Sequence, residues 1–374
     1  MEQLDTILKY LEDNLDADHL NDSRKRYKQS FSYQGTGDMP LRVTYPDSRF
    51  ERYSYGETVQ DMEKMLVNEL ITAASACALK DDALPMIRAN YGVGILPSLF
   101  GVQCRVLENN MPWVDPVKNI DGIRSILHSG VPDIHSGLGK KVFLTHEFYQ
   151  EVLAKYPVCQ KLISIYHPDT QGPFDTAHLI WGSDIYYALY DEPELVHELL
   201  ELICDTYIRF IKAVKADIND EAEGFVCHWG TLFRGGIVLR NDTSVNLSKE
   251  LYEEYVRPYD EKLLEAFGGG SIHYCGRADQ WVFSMMECKN LFGMNFGQPQ
   301  NLVFGYDFLD KIYKTAKSKK ITITDYGISK ENLAQAYSRG FDQGISFSVE
   351  AKDRDEAVQI LKTFRNSHTV SVPR

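Results

Sequence analysis

The chain has 374 residues, of which 44% are hydrophobic, 25% charged and 12% aromatic, and its net charge is −13. This composition is typical of a globular protein, and an acidic surface that repels phosphate argues against a nucleic-acid partner. No apolar run approaches the roughly 20 residues that span a bilayer, and the acidic amphipathic N-terminus does not resemble a secretory signal. The seven cysteines are scattered, which favours a reducing cytoplasm.

Residues 1–84 predict a helical extension, with a polar irregular stretch at about 31–56 between its helices. From residue 85 onward, short β-rich runs alternate with helical segments. The strand candidates are PMIRAN (85–90), GVQCRV (101–106), KLISIYH (161–167), GFVCHWG (224–230), GSIHYCG (270–276), LFGMNFG (291–297), KITITDYG (320–327) and GISFSVEA (344–351).

This alternation predicts an α/β protein, a TIM (β/α)8 barrel over residues 85–374 with the helices of 1–84 packed on it. A doubly wound open sheet is the alternative. No Gly-x-Gly-x-x-Gly follows an early strand, however, so the most common cofactor signature of that fold is missing.

Polar side chains collect where the predicted strands end, which is where a barrel builds its active face. Turn formation explains any one of them about as well as chemistry does. The candidates, in chain order of the strands from the third to the eighth, are Asp169 and Gln171, Cys227 and His228, His273 and Cys275, Asn295, Asp325 and Tyr326, and Glu350.

His273 and Cys275 are the sharpest candidates for metal binding. Residues two apart on a strand face the same side, so both should point toward the barrel axis. Imidazole and thiolate are zinc ligands, but two ligands hold zinc weakly, so a third must come from a neighbouring strand end. The candidates for it are Cys227, His228, Asp325 and Glu350. The alternative is that the pair simply ends a buried strand.

The long segment 228–248, which contains Arg234 and Asp242, predicts a lid over the site from which one of these two residues reaches inward. Cys227 is also explained as a small buried hydrophobe. Arg277 could pair with a substrate carboxylate or phosphate, and a surface salt bridge explains it equally well.

Several segments resemble the uroporphyrinogen decarboxylase superfamily, which also contains corrinoid-linked enzymes such as methylcobalamin:coenzyme M methyltransferase. The resemblance covers roughly residues 85 to 370 and implies a TIM barrel. The segments are Asp169-Thr-Gln-Gly-Pro173, LIWGSDIYYALYDEPELVHELLELI, LSKELYEEYVRPYDEKLLEAF, HYCGR and AKDRDEAVQILKTF.

Two branches of that superfamily imply different activities. The methyltransferases carry a zinc-binding His-x-Cys pair, matched by His273 and Cys275, and a later cysteine near the eighth strand, where this chain has Glu350 nearby instead. The decarboxylases hold substrate carboxylates with two arginines after the first strand, where this chain keeps only Arg88.

The resemblance therefore favours a zinc-dependent methyltransferase that uses a corrinoid (cobalamin) as methyl donor or acceptor. A corrinoid carrier protein is the candidate partner, and a homodimer is the expected assembly. One alternative is a metal-free decarboxylase of a polycarboxylate tetrapyrrole, with Arg88 and Arg277 as anion anchors and Asp169 near the reacting ring. A non-catalytic corrinoid- or tetrapyrrole-binding protein is another.

Each candidate residue has an expected role. The expected catalytic residues are Asp169, His228 and Asp325, the substrate-binding residues are Arg88, Gln171, Arg234, Asn295, Arg277 and Tyr326, and the metal ligands are His273 and Cys275 with Glu350 or Cys227.

Overall fold

The computed structural model describes residues 2–33, 38–107, 110–220, 223–298 and 304–371, with side chains as far as residue 366. The strands are β1 (Leu41–Thr44), β2 (Met86–Arg88), β3 (Gln103–Leu107), β4 (Asn110–Asp115), β5 (Ser164–Tyr166), β6 (Phe225–His228), β7 (Thr231–Arg234), β8 (Ile237–Arg240), β9 (Gly270–Cys275), β10 (Leu291–Gly297), β11 (Thr322–Gly327) and β12 (Ile345–Glu350).

The α-helices surround these strands. They are α1 (Glu2–Asn14), α2 (Ala17–Phe31), α3 (Tyr55–Thr58), α4 (Met62–Leu79), α5 (Ile95–Leu99), α6 (Ile120–Ser129), α7 (Gly137–Leu153), α8 (Pro157–Leu162), α9 (Pro173–Trp181), α10 (Ile185–Asp191), α11 (Pro193–Ala216), α12 (Lys249–Tyr255), α13 (Arg257–Ala266), α14 (Val282–Met285), α15 (Tyr306–Ser318), α16 (Lys330–Leu333) and α17 (Arg354–Ser371). In the described part of the chain, no helix combines the length and apolar character that a bilayer crossing requires.

The α/β class is confirmed by a central sheet of parallel strands. Six strands pair in the order β1-β12-β11-β10-β9-β8, and β2 pairs with β5 in a separate parallel pair. Within the described ranges, no strand pairing joins these two sheets into one ring. The closed barrel therefore stays a prediction.

Two of the predicted sheet strands lie in antiparallel hairpins instead. GVQCRV forms β3, which pairs with β4, and GFVCHWG forms β6, which pairs with β7. In their places the sheet contains β1, from the predicted N-terminal extension, and β8, from the predicted lid. The lid prediction is wrong for this part of the segment, because residues 231–234 and 237–240 are strands. Apolar alternation is the same in a hairpin and in a parallel strand, so it does not distinguish them.

A tight turn between β7 and β8 allows this arrangement. Gly235 has φ +94°, and a Cβ there would lie 2.5 Å from the backbone of Gly269 and Gly270. Only glycine fits such a conformation and such a close approach. The turn therefore delivers β8 next to β9.

The β6–β7 hairpin packs against one face of the six-stranded sheet. β7 contacts β9, β10 and β11, and Ser271 Oγ donates a hydrogen bond of 3.1 Å to the Arg234 carbonyl. Tyr274, on the opposite face of β9, packs against Trp281 at 5.0 Å between ring centroids. Since adjacent residues of a strand point to opposite faces, the hairpin shares the inner face with His273.

Two buried carboxylates satisfy the free edge of β1. The backbone N–H of Leu41 donates to Asp82 Oδ2 at 2.9 Å, and that of Val43 donates to Asp81 Oδ2 at 2.6 Å. Asp82 also pairs with Arg26 of α2, at 2.6 Å, and with Arg365 of α17. The Asp82 carboxylate thus links the N-terminal helices, the sheet edge and the C-terminal helix.

Replacing Asp82 with alanine is expected to lower the free energy of unfolding by about 3–5 kcal/mol, because two partly buried arginines and one strand N–H lose their partner. Urea unfolding followed by circular dichroism measures this. Asp22→Ala, at an exposed position of the same helix α2, should change the value by less than about 0.5 kcal/mol. Equal effects of the two substitutions would contradict a special role for Asp82.

Candidate metal centre

Three ligand-type side chains meet at the carboxyl ends of β8 and β9. Asp242, His273 and Cys275 each offer one atom, and these atoms lie within 4.8 Å of one another. His273 Nε2 lies 3.2 Å from Asp242 Oδ1 and 3.7 Å from Cys275 Sγ. His273 is buried and Cys275 is exposed, so the cluster is accessible from one side.

Asn295 on β10 determines which nitrogen of His273 can bind a metal. Its Nδ2 donates to the Thr324 carbonyl at 2.7 Å, so its Oδ1 faces His273 Nδ1, at 2.6 Å. An amide oxygen only accepts hydrogen bonds, so Nδ1 must carry a proton. The Nε2 lone pair of the neutral imidazole then points toward Asp242 and Cys275, which is the usual arrangement of a metal-binding histidine.

The two carboxylate oxygens of Asp242 have different roles: hydrogen bonds hold Oδ2 in place, and Oδ1 faces His273. Its Oδ2 accepts hydrogen bonds from Gln171 Nε2 at 3.1 Å and Arg240 Nη2 at 3.2 Å, whereas its buried Oδ1 has no hydrogen-bond partner among the described residues. Burial raises the pKa of Asp242, but the hydrogen bond and charge that a protonated His273 would supply, together with the charge of Arg240, outweigh it and hold the pKa well below its usual range.

Asp242 Oδ1 and His273 Nε2 therefore present two acceptor atoms to each other at 3.2 Å. Two lone pairs at this distance repel, so a proton or a metal ion is needed between them. The donor set of oxygen, nitrogen and sulfur fits zinc, which accepts all three in proteins. The residues present thus fit a divalent metal.

The Cys275 thiol needs such an ion to ionise. Although the residue is exposed, partial burial of its sulfur raises the pKa of Cys275 to about 12, and the negative charge of Asp242 adds to the effect. Free thiols have pKa values near 8.5. At pH 7 the thiol is therefore protonated unless a cation binds beside it.

A second buried cluster surrounds Asp169, which follows β5. Its carboxylate pairs with Arg88, with Arg240 Nη1 at 2.7 Å, and with Trp229 Nε1 at 3.0 and 3.1 Å. His228 Nε2 lies 3.2 Å away. Burial raises the pKa of Asp169, but Arg88 and Arg240 outweigh it and the carboxyl stays ionised.

Arg240 joins the two clusters, because Nη1 donates to Asp169 and Nη2 to Asp242. His228 is neutral at pH 7, since burial lowers its pKa to about 3. Its ring stacks on His167, with centroids 4.7 Å apart, and His167 Nδ1 contacts Asp220 Oδ2 at 2.6 Å.

The structure gathers several predicted site residues around these clusters. Besides His273 and Cys275, they are Arg88, Asp169, Gln171, His228 and Asn295. Asp242, which the sequence placed in a lid and not among the ligands, takes the third position. Its signal was an apolar run, Ile237-Val-Leu239, followed by polar residues, the same pattern as the other strand ends.

Neither Glu350 nor Cys227, the two residues predicted as the third ligand, belongs to the candidate metal centre among the described residues. Cys227 is buried on the other side of the hairpin, where its Sγ lies 3.7 Å from Ser164 Oγ. Alternation along β6 sends the neighbouring His228 toward Asp169 and Cys227 away from it. Glu350 is exposed at the end of β12, opposite Thr44 of β1.

Two more residues predicted at the seventh strand have other partners. Asp325 forms a two-pronged ion pair with Arg42 of β1, with Nε–Oδ1 at 3.0 Å. Tyr326 points to the helix side, where its hydroxyl donates to the Phe304 carbonyl at 2.9 Å and its ring packs on Phe296.

Two other residues predicted to bind substrate, Arg234 and Arg277, lie away from the candidate metal centre. Arg234 ends β7 and donates to the Lys320 carbonyl at 2.6 Å, at the amino end of β11. Because β7 is antiparallel to β6, Arg234 lies away from the carboxyl ends of the parallel strands. Arg277 is exposed and pairs with Asp279 at 2.9 Å and Asp307 at 3.5 Å, which is the surface salt bridge that the sequence also allowed.

Comparison with known proteins adds evidence about the fold. No family model and no curated protein sequence matches the chain. Among solved structures, it is similar to a methyltransferase from Methanosarcina mazei, with a TM-score of 0.59 and 12% identity over 93% of this chain and 98% of that chain. At this identity, the similarity shows that the two chains share a fold over nearly their whole lengths.

Proposed function

We propose that the protein is a zinc-dependent methyltransferase of the uroporphyrinogen decarboxylase superfamily, with a corrinoid as methyl donor or acceptor. The observation that carries the proposal is the convergence of Asp242, His273 and Cys275 at one end of the sheet. The similarity in fold to a protein named a methyltransferase supports it. A cytoplasmic homodimer that works with a corrinoid carrier protein fits this activity.

A closed barrel is part of the proposal. The β6–β7 hairpin contacts β5 through β6 and also contacts β8, so it spans from the β2–β5 pair to the six-stranded sheet. The Gly172 N–H, after β5, donates to the Arg240 carbonyl at the end of β8 at 2.7 Å. Such contacts are expected if β5 and β8 are neighbours in a (β/α)8 ring.

The chain's own residues would hold and orient the metal ligands. Asn295 keeps the Nε2 lone pair of His273 free, and Arg240 and Gln171 fix Asp242 so that Oδ1 alone faces the ion. When bound, zinc would lower the pKa of a coordinated thiol and make it nucleophilic near neutral pH. Three protein ligands leave one position of a tetrahedral site for a substrate.

A metal-free decarboxylase has less support. Its two expected anion anchors do not lie in one site, because Arg88 is buried against Asp169 and Arg277 is exposed beside Asp279. The one buried candidate anchor already has a carboxylate partner. A polycarboxylate substrate would need several cations without partners.

Metal content tests the ligand assignment. The purified chain should bind about one zinc ion, and His273→Ala should weaken zinc affinity at least about 100-fold, because it removes one of three protein ligands. Competition with a chromophoric chelator measures the affinity. His128→Ala, at an exposed position of α6, is the matched control and should bind zinc normally.

Activity follows the same logic. Methyl transfer between methylcobalamin and a thiol should stop in chelator, return with added zinc, and be absent in His273→Ala. Full turnover in a metal-free preparation would contradict the proposal.

The pH dependence of zinc binding tests the role of Cys275. Because the pKa of the thiol is raised to about 12, the thiol binds a proton in the metal-free protein at every pH below that value. Zinc must displace this proton, so its affinity should rise about tenfold per pH unit between about pH 7.5 and 9.5, where free imidazoles are neutral. Calorimetry in buffers of different ionisation enthalpy should show about one released proton.

Cys275→Asp supplies a ligand that is ionised throughout this range. In that variant the slope should flatten. A flat profile in the unsubstituted chain would show that Cys275 does not bind the ion as a thiolate.

A further inference from the structure

A cavity of about 200 Å³ lies between β1 and β2, beside α4. No pairing joins these two strands within the described ranges, and the carboxylates of Asp81 and Asp82 occupy the edge of β1 instead. The charged residues that line this cavity are Arg42, Glu69 and Arg88, and its apolar part includes Ala76 and Met86. Trp229 also lines it.

One charged donor in this wall lacks a hydrogen bond. The Arg88 side chain is 14% exposed, and its buried Nε has no hydrogen-bond partner among the described residues. Glu69 Oε1 is 3.7 Å from this atom, too far for a hydrogen bond. A buried guanidinium N–H without an acceptor is costly, so a small turn of the Arg88 side chain that brings Nε to a ligand acceptor in the cavity would stabilise it.

Glu69 provides the opposite charge. Its side chain is 15% exposed, and burial raises its pKa although Arg88 opposes the effect. A positively charged group in the cavity would favour the ionised carboxylate. The cavity therefore presents a guanidinium edge and a carboxylate side by side.

The surrounding charges argue against a simple anion. Two arginines, Arg88 and Arg240, share one connected set of ion pairs with three carboxylates, and Arg42 pairs separately with Asp325. The three carboxylates are Glu69, Asp169 and Asp242. An added anion would increase a negative excess, whereas a ligand with both charges would not.

We propose that this cavity binds a small zwitterion, of the size and chemistry of a free amino acid. Its carboxylate would accept from Arg88 Nε, its ammonium group would donate to Glu69, and its side chain would lie toward Ala76 and Met86. A volume of about 200 Å³ is many times the roughly 10–15 Å³ that one water molecule needs, so a small amino acid fits.

This site is distinct from the metal centre. Trp229 lies between them, since this residue lines the cavity and its ring contacts the His273 ring at a centroid distance of 4.9 Å. Binding of the zwitterion therefore does not depend on the methyltransferase proposal. It is expected in chelator-treated protein as well as in zinc-loaded protein.

The test is calorimetric titration of the chelator-treated full chain with each of the standard amino acids separately. At least one should bind with a Kd below about 1 mM. For the tightest of them, the matching amine without the carboxylate and the matching acid without the ammonium should each bind at least about tenfold more weakly.

Two substitutions locate the binding. Glu69→Gln removes the carboxylate without changing its shape, and Ala76→Leu fills the apolar part, so each should weaken binding at least about tenfold. Glu151→Gln, at an exposed position of α7, is the matched control and should leave the Kd unchanged. Circular dichroism confirms that each variant is folded.

Three results would overturn the proposal. They are the failure of every amino acid to bind with a Kd below about 1 mM, equal binding of an analogue with one charge, and unchanged binding in folded Glu69→Gln. Because the ligand panel uses the unsubstituted chain, it decides the question even if a variant does not fold.

Discussion

The Arg240 guanidinium is the interaction on which both polar clusters depend. It donates to Asp169 with one nitrogen and to Asp242 with the other, at 2.7 and 3.2 Å, and its side chain is only 17% exposed. A planar guanidinium suits this role, because its donors point in fixed directions and it stays charged at every physiological pH. It neutralises buried charge and also holds Asp242 so that only Oδ1 faces His273.

Arg240 reaches this place because of how the chain enters the sheet. The β6–β7 hairpin lies across the inner face, its tip brings Trp229 to Asp169, and the turn at Gly235 then places β8 alongside β9. Without the hairpin, the interior would lack the indole that separates the metal centre from the cavity at β1 and β2. Residues 225–242 therefore supply the proposed metal ligand Asp242, the arginine that holds it, Arg240, and the residue between the two proposed sites, Trp229.

Sequence patterns predicted the local features well. The α/β class followed from alternating periodicities, and the period of two along β9 predicted that His273 and Cys275 share a face, as they do. Strand-end polarity also identified Asn295 and Gln171, which hold His273 and Asp242 in the structure.

The errors have one physical cause, which is that local patterns do not reveal which segments become neighbours. β6 has the alternation of a sheet strand but pairs with β7, while β1 and β8 lie in segments that the sequence patterns predict to be an irregular stretch and a lid. Asp242 lies far from His273 in sequence, so its approach depends on the register of β8 against β9. Glu350 was preferred because it also ends a strand, but β12 is three strands away from β9 in the sheet order.

X-ray absorption spectroscopy of the zinc-loaded chain is the most direct test of the central claim. Asp242, His273 and Cys275 as ligands predict one sulfur at about 2.3 Å and the remaining nitrogen or oxygen scatterers at about 2.0–2.2 Å. A first shell without sulfur, or one with two or more sulfur atoms, would contradict the assignment of these three side chains as the metal centre.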